Sequence, residues 1–393
     1  MMLFKVVFVA FTACMASAQE SKSYRTVCYI QGWTHWREDP VKFEPEDVDT
    51  SLCTHVVWSS AELDETGTNV TVHDNGDEQL YQRLTALKQD QPELKVMLEI
   101  GGWGMGSEEF TKLVSSPSNM QTFAANIIQY LRQLNFDGLV LDWENPVTRP
   151  PSVPEDKHRF TQLLQTLMEA FEKEATENSK PRLLLASTLK PSTWQISQSY
   201  ELPDIANYVD WLDLTAFDLH GTWEGGVEHH SPLYSVTFDD KDSIHYMIQR
   251  IINMSVPRDK LDLGIPLYGV TFNLSDPTNY DTGAPIVGSG AAGELSHQSG
   301  RLAWFEICKL ISNDSFTSGR LSDTKAPFVV DGSRYTGYDD TQSIQEKVDY
   351  VMENQLGGVS IFTIDMDDFN GLCGGERNPL LHTVQRQFSG LVG

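Results

Sequence analysis

Three acidic residues in the stretch FDGLVLDWENP, Asp137, Asp142 and Glu144, are the residues of this chain best suited by type and spacing to move a proton. Asp142 and Glu144 are two apart, so on an extended chain both project to the same side. Like charges held that close raise at least one pKa, and a carboxyl kept protonated near neutral pH can act as a general acid. Val140 and Gly138 share the inward register, while Trp143 faces the other way. On its own, D-x-E fits a surface pair or two metal ligands as well. Aromatic residues at the ends of other apolar runs, Tyr29, Trp33, Trp103, Tyr268 and Phe362, add the stacking surfaces that sugar cleavage needs beside carboxylates. No set of His, Asp and Glu demands a metal, no cofactor is expected, and His220 reads as a residue that orients a loop.

Strand ends are the natural place for such residues. Short apolar runs (TVCYI, THVVWSS, LKVMLEIGGW, FDGLVLDWE, RLLLAST, WLDLTAF, KLDLGIPLYG and GGVSIFT) alternate with stretches whose apolar residues recur three and four apart, such as QTFAANIIQYLRQL. Eight strands alternating with helices predict an α/β fold, a parallel (β/α)8 TIM barrel, whose chemistry sits at the carboxyl ends of the strands. Asp218 closes the sixth run and joins the candidates on that ground. An open doubly wound sheet is the alternative, but no G-x-G-x-x-G follows the first run. The chain from 270 to 356 is far longer than one helix requires and contains strand-like APFVV and RYTGYD, which predicts an α+β insertion at about 273–345 after strand seven. No low-complexity linker and no cysteine-rich module is expected.

Residues 1–18 have a lysine ahead of an apolar run and end in Ala16-Ser17-Ala18, the pattern of a cleaved signal peptide; the barrel then occupies 19–393 and the protein is expected outside the cell. Of five cysteines, Cys28, Cys53, Cys308 and Cys373 remain in the mature chain. An even set in an oxidising compartment suggests two disulfides, with three pairings open and the short-range one closing the smallest loops. Asn69, Asn253, Asn273 and Asn313 head N-x-S/T sequons. The net charge of −26 repels phosphate backbones and anionic lipid, arguing against nucleic-acid and membrane partners.

FDGLVLDWENP resembles the strand-four signature of the family 18 glycoside hydrolases, chitinases and chitinase-like lectins, D-G-x-D-x-D-x-E followed by Tyr-Pro. VCYIQGWTHWRE, LCTHVVW, IGGWGMG, DLHGTWEGGVEHHSPLY, LGIPLYG, GYDD and GGVSIFTIDMDDFNGLCG follow in the family's order across nearly the whole mature chain. The resemblance implies disulfides Cys28–Cys53 and Cys308–Cys373, and an insertion walling a deep cleft. It also implies a substrate-assisted reaction in which Glu144 protonates the glycosidic oxygen, Asp142 orients the substrate's acetamido nucleophile, and Asp137 is the first motif aspartate. It carries cleft roles over to Tyr29, Trp33, Trp103, Trp223 and Tyr268, with Asp218 beside the reacting sugar.

Several positions depart from that pattern. The middle aspartate, which shares a proton with the next one in active members, is Val140; the Tyr that donates to the acetamido oxygen is Phe217; the strand-eight Trp is Phe362; the Arg of Y-G-R-S-F is Val270; the Tyr after the acid is Asn145; and the Phe of Y-A-F-A is Ser60. The expectation is therefore a secreted monomer that binds chitin or N-acetylglucosamine oligosaccharides with weak or absent hydrolysis. The alternatives are an active endo-chitinase using Glu144, and a signalling or immune-interaction protein without sugar binding.

Overall fold

In the computed structural model, residues 23–72, 76–190, 196–235, 241–321 and 323–390 are described. The signal-peptide segment lies outside them. Eight strands, β1 (Arg25–Gln31), β2 (His55–Leu63), β3 (Lys95–Gly101), β4 (Gly138–Asp142), β5 (Leu184–Leu189), β6 (Trp211–Leu214), β7 (Leu261–Pro266) and β8 (Gly358–Phe362), pair in parallel in chain order. β1 also pairs with β8, and this contact closes the barrel.

Both faces of each strand are covered, which is why the strands read as nearly continuous apolar runs. Alternation still sorts the side chains. Val27, Tyr29, Val57, Met97, Val140, Ala186 and Trp211 point inward and pack together. Their neighbours Cys28, Val56, Leu98, Leu139 and Leu141 point outward into the shell of helices. Those helices follow the three-and-four spacing: QTFAANIIQYLRQL lies in Pro117–Gln133, where Ser116 Oγ accepts the Asn119 N–H and Pro117 opens the first turn. No helix among the described residues is long and apolar enough to cross a membrane.

The insertion is an antiparallel sheet built on Tyr268–Leu274, which pairs with Ile286–Ser289, Arg301–Ala303 and Arg334–Gly337. It starts at Tyr268 rather than at about 273, because LYGVTFNL bends out of the barrel directly after β7 instead of ending in a loop. That bend places Tyr268 at the barrel mouth.

Cys28 is bonded to Cys53 and Cys308 to Cys373, the pairing the resemblance implied. The second bond ties the insertion's helix Trp304–Ile311 to the loop after β8, across 65 residues of chain. Replacing both cysteines by Ala is expected to destabilise the protein by about 3–4 kcal/mol, since the loop it closes is long. Urea unfolding checks this, and a loss below about 1 kcal/mol would show that the insertion is held by its sheet alone.

Candidate active site

β4 brings Asp142 to the barrel mouth and ends there, because the next residues turn away. Trp143 points outward, stacked on Phe110 with its indole N–H donating to Ser107 Oγ at 2.9 Å. Asn145 then takes a left-handed backbone, its N–H donating to the Tyr200 hydroxyl at 3.1 Å while that hydroxyl donates to the Trp143 carbonyl at 3.2 Å. This brace sets where Glu144 emerges. On the adjacent strand, Gly101 has φ +119°, and a Cβ there would sit 2.1 Å from the Asp142 carbonyl; the glycine is what lets β3 and β4 close to this distance.

Glu144 lines two adjoining cavities of about 510 and 660 Å3, which share Trp103, Lys190, Asp218 and Arg301. The cleft therefore extends to both sides of the candidate acid. Trp33, Trp103 and Trp223 are 39%, 64% and 69% exposed along it, an unusual display for the largest apolar side chain. Arg37 and Arg149 each cover one face of a tryptophan, at 4.6 Å from the Trp33 ring and 4.1 Å from the Trp103 ring. The Arg149 guanidinium also donates to the Trp103 carbonyl at 2.5 Å. The floor is Phe362, tilted against Phe217 with ring centres 4.8 Å apart.

Electrostatics divide the floor in two. Burial and the Glu144 charge push Asp142 up to about 7, opposed by hydrogen bonds with Thr188 and Glu99 and by the Lys190 charge. Asp218 goes the other way. Its burial would raise it, but the His230 contact and the Arg301, His230 and Lys190 charges overcome this and hold it below the ordinary carboxylate range. Arg301 donates to Asp218 at 2.5 Å and the Tyr268 hydroxyl at 2.9 Å, so Asp218 is a fixed anion.

Two expected residues stand elsewhere. Asp137 is at the opposite end of β4, where its carboxylate accepts the Val96 N–H at 2.8 Å and the Lys88 ammonium at 2.9 Å, tying strand to strand below the barrel. Tyr29 is fully buried beneath Phe362, stacked at 4.1 Å, and its hydroxyl donates to Asp213 at 2.5 Å; it supports the floor without lining it. Among the sequons, Asn69, Asn253 and Asn313 are exposed and Asn273 is half-buried in a strand paired on both sides.

Sequence reasoning missed three charged residues of this cleft. Lys190 approaches Phe217, its ammonium 5.7 Å from the ring centre and 3.3 Å from the carbonyl. Arg301 is the strand partner of Val270, so a guanidinium reaches the cleft from the neighbouring strand at a position where the resemblance led to one. Glu99 is the strand partner of Val140 and is only 1% exposed. Its signal was a lone carboxylate inside the apolar run VMLEIGG, on the inward register.

A closed eight-stranded parallel barrel, an α+β insertion walling one side and a carboxylate pair at the end of the fourth strand define a glycoside-hydrolase architecture. The model of glycosyl hydrolases family 18 matches residues 25–367, and the chain belongs to that family. It is 37% identical over 380 residues to human chitinase-3-like protein 2, covering 95% of each chain. It is 35% identical over 377 residues to mouse chitotriosidase-1, covering 94% of this chain and 79% of the mouse protein. Solved structures similar to it include human YKL-39, described as a pseudo-chitinase with retained chitooligosaccharide binding (TM-score 0.87, 36% identity, 93% and 100% coverage). Another is an immunomodulatory active chitinase, TsES1, from Trichuris suis (TM-score 0.88, 30% identity, 93% and 99% coverage).

Proposed function

We propose that the cleft binds β-1,4-linked N-acetylglucosamine oligosaccharides and that hydrolysis there is slow. The observation that carries this reading is the row of exposed tryptophans leading across a floor that holds Glu144 and Asp142. Trp103 offers the face that Arg149 leaves open, and sugar rings stack on such faces. Slow turnover follows from Phe217. In a substrate-assisted reaction Glu144 gives its proton to the leaving oxygen while the acetamido carbonyl attacks the anomeric carbon. The carbonyl needs a hydrogen bond as charge develops, and a phenyl ring donates none. A relative described as a pseudo-chitinase with retained chitooligosaccharide binding supports this reading. The hydrolase reading draws on one observation, the retention of Glu144 beside Asp142 at the meeting of the two cavities. The signal-peptide pattern and the two disulfides support export to an oxidising compartment.

Titration calorimetry with chitotetraose is expected to give saturable heat accompanied by quenching of tryptophan emission. Trp103→Ala should weaken the Kd roughly thirtyfold, the loss of about 2 kcal/mol expected when a central aromatic anchor is removed. An unchanged Kd in that variant would place the sugar elsewhere. No heat with chitin fragments of any length would remove the reading.

A further inference from the structure

Val140 leaves the inward face of β4 without a carboxylate one step below Asp142, yet the barrel at that level does not lack one. Glu99 stands opposite Val140 in the β3–β4 register, on the same inward face. Glu99 and Asp142 line the same cavity, and Glu99 lies within hydrogen-bonding reach of both Asp142 and Ser59. We propose that Glu99 is a positioning residue that shares one proton with Asp142 across the β3–β4 pairing, supplying from the neighbouring strand the carboxyl that Val140 lacks. This rests on the reading of the cleft as an N-acetyl sugar site.

The chemistry of the pair follows from its surroundings. Asp142, Asp213 and Glu144 all face Glu99, so a second negative charge there would be buried among anions. Burial first, then the Asp142 charge, raise Glu99 well above the ordinary carboxylate range, while the Thr188 hydroxyl and the Lys190 charge favour the ionised form of Asp142. Tyr29 also feels both carboxylates, and Lys190 is the cation that favours an ionised Asp142. One proton therefore stays on Glu99, donated toward Asp142. Asp142 is left anionic above a pH of about 7. In that state it accepts the Thr188 hydroxyl and can accept an acetamido N–H. As pH falls through about 7 a second proton binds Asp142 and removes the anionic acceptor.

Glu99 donates to ionised Asp142 and thereby lowers it, so removing the donor raises it. Chitotetraose affinity should fall below pH 7 in the wild type, and in Glu99→Ala the midpoint of that fall should move up by about one pH unit. Glu99→Gln retains a donor and should keep the midpoint near the wild type. Glu99→Ala with Val140→Asp returns a carboxyl to β4 and should bring it back. A midpoint unmoved by Glu99→Ala overturns the proposal, and so does a double variant that behaves like the single one. A second readout needs no sugar: with glutamate carboxyls labelled with 13C, the signal that disappears in Glu99→Gln should remain that of a protonated acid from pH 5 to 8. If it titrates in the ordinary glutamate range, the shared proton is refuted even where sugar binds. If no sugar binds but the signal stays protonated, the pair stands and the sugar reading is what fails.

Discussion

Phe217→Tyr is expected to raise the rate of chitooligosaccharide hydrolysis about a hundredfold, with little change in binding. Phe217 lines the cleft between Tyr268 and Phe362, with ring centres 6.2 and 4.8 Å away, and its edge lies close to Gly264. A phenol there adds one donor to the wall that already holds Glu144 and Lys190. One preorganised hydrogen bond to developing charge is worth about 3 kcal/mol in the transition state and far less in the ground state. The gain should therefore appear in kcat, with KM nearly constant. It should vanish when Glu144→Gln is added, because a donor to the acetamido group cannot replace the proton for the leaving oxygen. Release of a fluorescent leaving group from a chitobioside reports both. A rate unchanged by Phe217→Tyr would mean that Lys190 already serves as the donor or that Phe362 limits the reaction.

Lys347→Met should cost about 3–5 kcal/mol of stability, the usual penalty for stranding one member of a buried ion pair. The Lys347 ammonium contacts Asp339 at 2.6 Å and Ser231 Oγ at 2.9 Å, and both charges are buried. Ser343 donates to the other Asp339 oxygen at 2.7 Å, and Ser231 donates to the Ala216 carbonyl at 2.8 Å. The pair thus joins three pieces of chain: the exit of the insertion, the helix Thr341–Glu353 that leads into β8, and the loop beyond β6. Burial would raise Asp339, but Lys347 first and His229 second hold it low, so removing the lysine takes away the main charge that offsets the burial of this carboxylate. Asp339→Leu added to Lys347→Met should recover much of the loss, since an apolar pair carries no stranded charge. Urea midpoints decide it, and a single-variant cost below about 1 kcal/mol would mean that water reaches Asp339. Ser231 follows His230, whose ring is 3.5 Å from Asp218, so the variant should weaken sugar binding as well.

The fold, and the placing of Asp142 and Glu144 at the end of its fourth strand, were legible in the sequence for a simple reason. Period-two alternation says which side of a strand a residue faces, and the ordered motifs say which strand it is on. Neither says how deep in the barrel it lies. For that reason the sequence groups Asp137 and Tyr29 with the cleft, whereas one lies at the opposite end of β4 and the other beneath the floor. The insertion's first strand is hard to tell from β7 in the sequence because LYGVTFNL has the same apolar character, and only the bend before Tyr268 separates them. Glu99 and Arg301 escaped because the contacts that give them meaning run across strand pairings. Reading Val140 and Val270 along their own strands shows a carboxylate and a guanidinium missing. Across the register, the adjacent strands place Glu99 beside Val140 and Arg301 beside Val270.

This cleft is expected to hold chitooligosaccharide and seldom to cut it. The most direct measurement follows one sample of chitohexaose with the protein in excess at pH 8, recording bound fraction by calorimetry and chain length by mass spectrometry over hours. Saturable binding is expected while nearly all of the hexamer remains intact, with the small remaining cleavage absent in Glu144→Gln. Rapid conversion to shorter chains that Glu144→Gln abolishes, or an intact hexamer that never binds, would contradict it.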